Sequence, residues 1–218
     1  MEPRRYQVTL TGISPLLMHA DEVQWSDQMS AERSAIKQKD KTAFSAGDDR
    51  CPPHTWKGYL YQCGGFVSVP TDNLRKALTR AGARIELKGK QTFKSMAAAG
   101  IIFEDFGWPM DAAIDMAAIE KISGKFSNQA EAAKKLGIDL FVKRAAIGQS
   151  KHVRVRPRFN MWSAQGSVLV VEECLTEDIL NRMWQIAGTL IGIGDWRPDC
   201  GAPGAYGRFA VKLERMNP

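Results

Sequence analysis

The stretch from residue 192 to residue 208 constrains the fold most, because its five glycines and two prolines exclude a continuous helix or strand. Trp196, Arg197, Tyr206 and Arg208 stand between the glycines. Such side chains stack on bases and pair with phosphates, and the alternative for Trp196 is a core anchor that pins the loop. An apolar run precedes the stretch and an alternating one follows it. We therefore predict a glycine-rich loop that joins a helix to a strand, with an ordinary surface loop of turn residues as the alternative.

The length and apolar content of the chain limit which class of protein it can be. At 218 residues the chain suits one large domain with a sizeable core. No apolar run approaches the ~18 residues of a membrane span, and the N-terminus shows no signal-peptide pattern. We therefore expect a cytoplasmic protein without a membrane partner.

The four cysteines are widely spaced and form no Cys-x-x-Cys pair, which indicates free thiols in a reducing compartment. Cys51, His54 and Cys63 could supply three zinc ligands, but no second close pair completes a tetrahedral site. The sequence also contains no phosphate-binding loop, nucleophile elbow or dinucleotide fingerprint. It therefore predicts no metal and no cofactor.

Basic residues are concentrated in two segments, although the formal net charge is only +6. Residues 75–94 carry seven basic residues and one acid, and residues 143–158 carry six basic residues and no acid. These segments together hold +12, so the rest of the chain is close to −6. This asymmetry predicts a polyanionic partner.

The first basic set lies on a predicted helix that begins after Pro70. Arg75, Lys76, Arg80 and Arg84 lie mostly off the apolar stripe of that helix. These residues are predicted either to contact nucleic acid or to form a solvated basic face.

The second basic set lies on a predicted strand, where Arg154, Arg156 and Arg158 alternate with apolar residues. Residues two apart on a strand repeat every ~6.6–6.8 Å, which is comparable to the phosphate repeat of an extended single strand. We predict that this arginine row follows a nucleic-acid backbone, in a hairpin that pairs residues 153–161 with residues 167–172. The alternative is an exposed basic strand opposite Glu172 and Glu173.

The order of predicted elements indicates an α+β fold. With two insertions removed, at about residues 20–66 and 104–150, the order approximates β-α-β-β-α-β. We therefore predict one domain over residues 1–218 with a ferredoxin-like (RRM-like) core and large insertions, including a basic hairpin.

Three segments resemble the RAMP superfamily, the repeat-associated proteins that form backbone and processing subunits of CRISPR effector complexes. Residues 6–15 resemble its first strand and turn, residues 69–80 the start of its first helix, and residues 192–208 its glycine-rich loop. The Arg-Pro-Arg-Phe and Gly-Ile-Gly-Asp-Trp-Arg-Pro stretches are similar to small phage and prophage proteins of this kind. The chain is shorter than typical CRISPR backbone subunits, and residues 20–66 have no counterpart.

The resemblance implies a ferredoxin-like core and binding of RNA or single strands by a row of subunits. Some members cut RNA with a first-loop aspartate or a histidine. Asp21 and His152 are the weak candidates here, and no motif supports either one.

Our hypothesis from the sequence is a non-catalytic protein that binds single-stranded RNA or DNA and assembles side by side, as an oligomer or as a subunit of a larger ribonucleoprotein. The alternatives are an endoribonuclease of the same superfamily and a phage interaction protein that mimics an effector subunit. The predicted contacts are basic or aromatic: Arg154, Arg156, Arg158, Lys143, Arg144, Lys151, Arg75, Lys76, Arg80, Trp196, Arg197, Tyr206 and Arg208.

Overall fold

The computed structural model describes residues 2–21, 53–111, 114–123, 129–147 and 150–216, with the backbone alone for residues 53–55, 120, 122–123, 129, 143–147 and 150–154. The fold is α+β with antiparallel sheets, which confirms the predicted class. The chain divides into two compact units. The first unit contains Met1–Leu17, Tyr61–Met116 and Asn160–Pro218, and the second contains Met18–Leu60 and Ala117–Phe159.

A four-stranded antiparallel sheet forms the centre of the first unit. Its strands are β1 (Arg4–Gly12), β7 (Ile101–Phe103), β11 (Ser163–Val170) and β12 (Phe209–Arg215), in the order β12-β1-β11-β7. Tyr6, Val8 and Leu10 alternate along β1 and are at most 1% exposed. In the sequence these three residues alternate with polar ones, which predicts a half-buried strand. Since alternate residues of a strand face the same side, their burial confirms this prediction.

Three helices belong to the first unit: α1 (Thr71–Gly82), α2 (Lys94–Gly100) and α5 (Glu177–Ile186), which continues into the π-helical turn Ala187–Ile191. Leu74 and Leu78 of α1 are buried, as their helical spacing predicts. Thr176 caps α5, because its hydroxyl accepts a hydrogen bond from the Ile179 amide at 3.4 Å.

The first unit also contains short strands. These are β2 (Leu16–Leu17), the small sheet of β3 (Gln62–Cys63), β4 (Phe66–Pro70) and β8 (Gly107–Pro109), and the ribbon of β5 (Glu86–Lys88) and β6 (Gln91–Thr92).

The second unit contains a long antiparallel pair, β9 (Asp139–Ile147) and β10 (Ser150–Phe159). A 3₁₀ helix (Pro53–Tyr59), most of α3 (Met116–Ser123) and α4 (Gln129–Lys135) complete the described part. Its two segments overlap the predicted insertions without sharing their boundaries. The predicted hairpin of residues 153–161 with 167–172 is wrong, since β10 pairs with β9 while β11 pairs with β1 and β7.

Two tryptophans, Trp108 and Trp184, pack in the core of the first unit with ring centroids 6.4 Å apart. Both side chains are at most 1% exposed. Gly166, opposite Val8 in the sheet, lies beneath Trp108, and a Cβ at Gly166 would overlap the indole ring. This glycine therefore makes room for the largest core side chain beside β11.

The Gly166→Ala variant is expected to lose about 1–3 kcal/mol of unfolding free energy, because its added methyl group overpacks the core at Trp108. Urea unfolding followed by tryptophan fluorescence measures this loss. Gly201→Ala is the matched control, since no heavy atom lies within 4 Å of a Cβ built there. Equal midpoints for the two variants would contradict the packing argument.

No described helix has the length and apolar character needed to cross a membrane.

Candidate anion-binding cleft

The arginine row predicted on β10 is not an exposed row. Arg156 is only 5% exposed, and its neighbours Val155 and Pro157 are buried as well. Arg158 is 31% exposed in its side chain and pairs with Asp139 at 3.2 Å. The side chain of Arg154 lies outside the described part. The prediction that these three guanidiniums share one solvent-facing side is therefore wrong at Arg156.

Contacts within the second unit explain the burial of Arg156. Its guanidinium carbon lies 4.2 Å from the ring centre of Tyr59, a cation–π contact with the 3₁₀ helix. Its Nη2 lies 3.2 Å from Nε2 of His19, and its Nη1 donates to the Val155 carbonyl at 3.1 Å. Because arginine only donates hydrogen bonds, His19 Nε2 is the acceptor. Arg156 therefore joins β10 to other elements of its own unit.

Of the two weak catalytic candidates, Asp21 is described with its side chain and His152 by its backbone alone. Asp21 is 97% exposed in its side chain, and its carboxylate lies 3.9 Å from His19 Nε2. His152 lies opposite Ala145 in the β9–β10 pair, but its side chain is outside the described part. The side chains of Lys143, Arg144 and Lys151 are also outside it. Within the described ranges, no three His, Cys, Asp or Glu side chains come together as metal ligands would.

The described cysteines, Cys63, Cys174 and Cys200, are free thiols, as predicted. Burial is the main cause that raises the pKa of Cys174, and Glu172 raises this pKa further through a hydrogen bond and its charge. A raised pKa keeps a thiol protonated at neutral pH and makes it a poor nucleophile.

The glycine-rich loop closes on itself at its base. The Ile193 amide donates to the Gly207 carbonyl at 3.0 Å, and the Asp195 amide donates to the Leu17 carbonyl at 2.9 Å. Gly207 has φ +70°, and a Cβ there would overlap the Ile193 carbonyl. Since this conformation and this approach both favour glycine, the closed base depends on Gly207. The predicted helix–loop–strand junction is confirmed.

Trp196 and Tyr206 stack on each other across the glycine-rich loop, with ring centroids 6.3 Å apart and planes inclined by 16°. Trp196 has φ +53°, an uncommon backbone conformation for a bulky residue. A Cβ at Gly204 would overlap the Trp196 carbonyl. Both rings are half-buried, so this aromatic pair holds the loop in shape while part of each ring meets solvent.

Helix α1 presents part of its basic set to the loop. Lys76 and Arg80 are one helical turn apart and both are exposed. Arg75 points elsewhere, because its guanidinium carbon lies 5.9 Å from the ring centre of Phe103. Arg208 is the last residue of the loop and is exposed, and its backbone amide donates to Ser14 Oγ at 3.0 Å.

A cleft of about 140 Å³ lies between α1 and the glycine-rich loop. Three of its lining residues are cations and none is an acid. The lining residues are Asn73, Lys76, Ala77, Arg80, Ile191, Gly192, Ile193, Gly194 and Arg197. Sites for whole small-molecule ligands usually measure about 300–1,000 Å³. We call this the basic cleft, and its size suits one anionic group of a longer ligand better than a complete nucleotide.

Two further residues act on the cations of the basic cleft: Arg84, which belongs to the first basic set of the sequence, and Asp199, which the sequence reasoning missed. Arg80 Nη1 donates to the Asp199 carboxylate at 2.9 Å and to the Asp199 carbonyl at 2.8 Å. Arg84 Nη2 lies 3.5 Å from the other carboxylate oxygen of Asp199. Arg84 carried a signal through its place in the first basic segment. Asp199 carried none, since it is 119 residues from Arg80.

The open face of the four-stranded sheet differs from an aromatic base-stacking platform. Register places Gln7 between Ser167 and Glu214, and Thr9 between Gln165 and Lys212. None of the residues on this face of the four described strands is aromatic. Sheets that bind RNA through their face use aromatic side chains for stacking, so the basic cleft is the better candidate site.

No protein-family model matches the chain, and a comparison with curated proteins finds no match.

Proposed function

We propose that the protein binds single-stranded nucleic acid without cutting it and that the basic cleft holds the phosphate backbone. One observation carries the proposal: Lys76, Arg80 and Arg197, from distant parts of the sequence, line one cleft that contains no acidic lining residue. Phosphate contacts from cations supply most of the sequence-independent affinity for nucleic acid. The small volume of the cleft agrees with a contact to the backbone and not to a base.

We infer that the first unit has a ferredoxin-like core. The order β12-β1-β11-β7 places the last core strand beside the first and the third beside the second. Helix α1 lies between the first and second core strands of the chain, and α5 follows the third. This order and these helix positions support the β-α-β-β-α-β arrangement.

We also propose that the resemblance to the RAMP superfamily reflects a relationship of the first unit to that superfamily. The three segments that carry the resemblance come together in this unit, since the Gly207 amide donates to the Pro15 carbonyl at 2.8 Å and Arg80 pairs with Asp199. Segments that resemble one family would be expected to meet around one site, and these meet beside the basic cleft.

Side-by-side assembly is the second part of the proposal. Phe106 and Met161 of the first unit are 93% and 92% exposed. Aromatic residues and methionine are enriched at protein interfaces, so these two side chains support contact between copies along one strand.

Binding is tested by fluorescence anisotropy with labelled, unstructured RNA and DNA of about 16 nucleotides, a length within the range of single-strand sites. The protein is first purified with nuclease and a high-salt wash. Three phosphate contacts predict a log-log slope of about −2 against salt concentration. Absence of binding at about 50 mM salt, or a log-log salt slope near zero, would contradict the proposal.

The same reactions separate the alternatives when they are analysed on denaturing gels. Intact strands are expected, whereas shortened strands that disappear with Asp21→Ala or His152→Ala would favour an endoribonuclease. Tighter binding of RNA than of DNA would indicate contacts to the 2′-hydroxyl. If the protein neither binds nor cuts the strands, the result would favour the alternative of a phage interaction protein.

A further inference from the structure

Asp199 forms ion pairs with the cations at one side of the basic cleft. Its two carboxylate oxygens face Arg80 and Arg84 at 2.9 Å and 3.5 Å. Its backbone carbonyl accepts a second hydrogen bond from Arg80. A phosphate group held by these arginines would use the same donors, because guanidinium binds carboxylate and phosphate in the same forked geometry.

The other two cations of the cleft are not engaged in this way. Arg197 Nη1 donates to the Gly194 carbonyl at 3.1 Å. No carboxylate in the described part of the chain lies within ion-pair distance of Lys76 or Arg197. The positive charge of Arg80 is therefore neutralised by Asp199, whereas the charges of Lys76 and Arg197 are not neutralised by a described carboxylate.

Resting on the proposed function, we infer that Asp199 is an internal competitor for the ligand. A bound strand first places phosphates against Lys76 and Arg197, and it must displace the Asp199 carboxylate to reach Arg80 and Arg84. Because the carboxylate is tethered to the loop, its effective concentration at the arginines is high. Asp199 thus lowers the affinity of the cleft for the strand.

The backbone of residue 199 limits how far the loop would shift without the carboxylate. The Asp199 amide donates to the Ile191 carbonyl at 3.1 Å, and the Asp199 carbonyl holds Arg80. Both contacts remain in Asp199→Asn and in Asp199→Ala. The carboxylate is 30% exposed, and its partners are 50% and 45% exposed, so the ion pairs contribute modestly to stability.

The closing experiment measures two probes, a labelled single strand of about 16 nucleotides and tripolyphosphate, against the wild type, Asp199→Asn and Asp199→Ala. Both variants are expected to bind each probe about three- to fivefold more tightly, the range of an exposed ion pair. The salt slope for the strand is expected to steepen by about 0.7 per phosphate gained. In an Arg80→Ala/Arg84→Ala background the gain disappears.

Glu214→Gln is the matched control, because it changes the net charge equally and breaks the exposed pair with Lys212 at 2.7 Å. Unchanged or weaker binding by both Asp199 variants overturns the inference, as does an equal gain in Glu214→Gln or a gain that survives loss of the two arginines. If tripolyphosphate shows the expected pattern and the strands do not bind, the proposed function fails and the inference stands. If no form binds either probe, the inference is overturned.

Discussion

Replacing Lys76 and Arg197 together by alanine is expected to weaken binding of a single-stranded oligonucleotide by about 10- to 30-fold. Each exposed charge contact contributes up to about 1 kcal/mol, and 1.4 kcal/mol corresponds to tenfold in the dissociation constant. Lys76 reaches the basic cleft from α1 and Arg197 reaches it from the glycine-rich loop. Losing two phosphate contacts should also flatten the log-log salt slope by about 1.4.

The measurement is an anisotropy titration at several salt concentrations, with unfolding midpoints recorded in parallel. Lys121→Ala/Lys134→Ala is the control, since both lysines are exposed on helices of the second unit and the charge change is the same. An equal loss in the two double variants would mean that overall charge and not the basic cleft governs binding. Such a result would remove the main support for the proposed function.

The Arg156→Ala variant is expected to lose about 2–4 kcal/mol of unfolding free energy. The substitution empties a buried site, removes the cation over the Tyr59 ring and leaves His19 Nε2 without its arginine donor. Arg156→Met should lose less, because the methionine side chain still fills much of the space taken by the arginine stem. Urea unfolding measures both changes.

Arg156 also tests the position of the site. Oligonucleotide affinity of the folded Arg156→Met variant should stay within about twofold of the wild type, since the guanidinium lies in the interior of the second unit. If Arg156→Met has normal stability but a large loss of oligonucleotide affinity, the binding site lies on β10 and not in the basic cleft. The two predictions therefore separate a residue that holds the fold from residues that hold the ligand.

Local patterns explain which parts of the fold were predictable. Alternation identified β1, helical spacing identified α1, and the glycines of residues 192–208 identified the loop and its place between a helix and a strand. Each of these signals arises from neighbours in the sequence. Alternation does not name a partner strand, and for this reason the pairing of β10 was predicted incorrectly.

The same limit explains the error at Arg156. Alternation showed that Val155 and Arg156 face opposite sides of β10, and the polar side was assumed to meet solvent. The 3₁₀ helix Pro53–Tyr59 covers that side with Tyr59. Nothing within β10 carries this information, since the covering residue is about a hundred positions away.

The basic cleft was predictable in its parts but not as a whole. Lys76, Arg80 and Arg197 were each singled out for charge and context, although Lys76 and Arg80 were assigned to one helix face and Arg197 to the glycine-rich loop. Their meeting depends on how the loop folds back toward α1, which is fixed by the contacts of Gly207, Leu17 and Asp199. These contacts join residues that are far apart in the chain.

The closed base of the glycine-rich loop has a consequence for how its length can vary. Residues 193 and 207 are joined, and the Gly204 amide is held by the Arg197 carbonyl at 3.2 Å. Gly201, Ala202 and Pro203 lie outside these contacts and are exposed. Doubling the length of a flexible loop costs only about 0.6 kcal/mol. Residues can therefore be inserted at this tip while the residues that line the basic cleft stay in place. The loop thus combines a fixed inner half with an outer segment on which new contacts can be built.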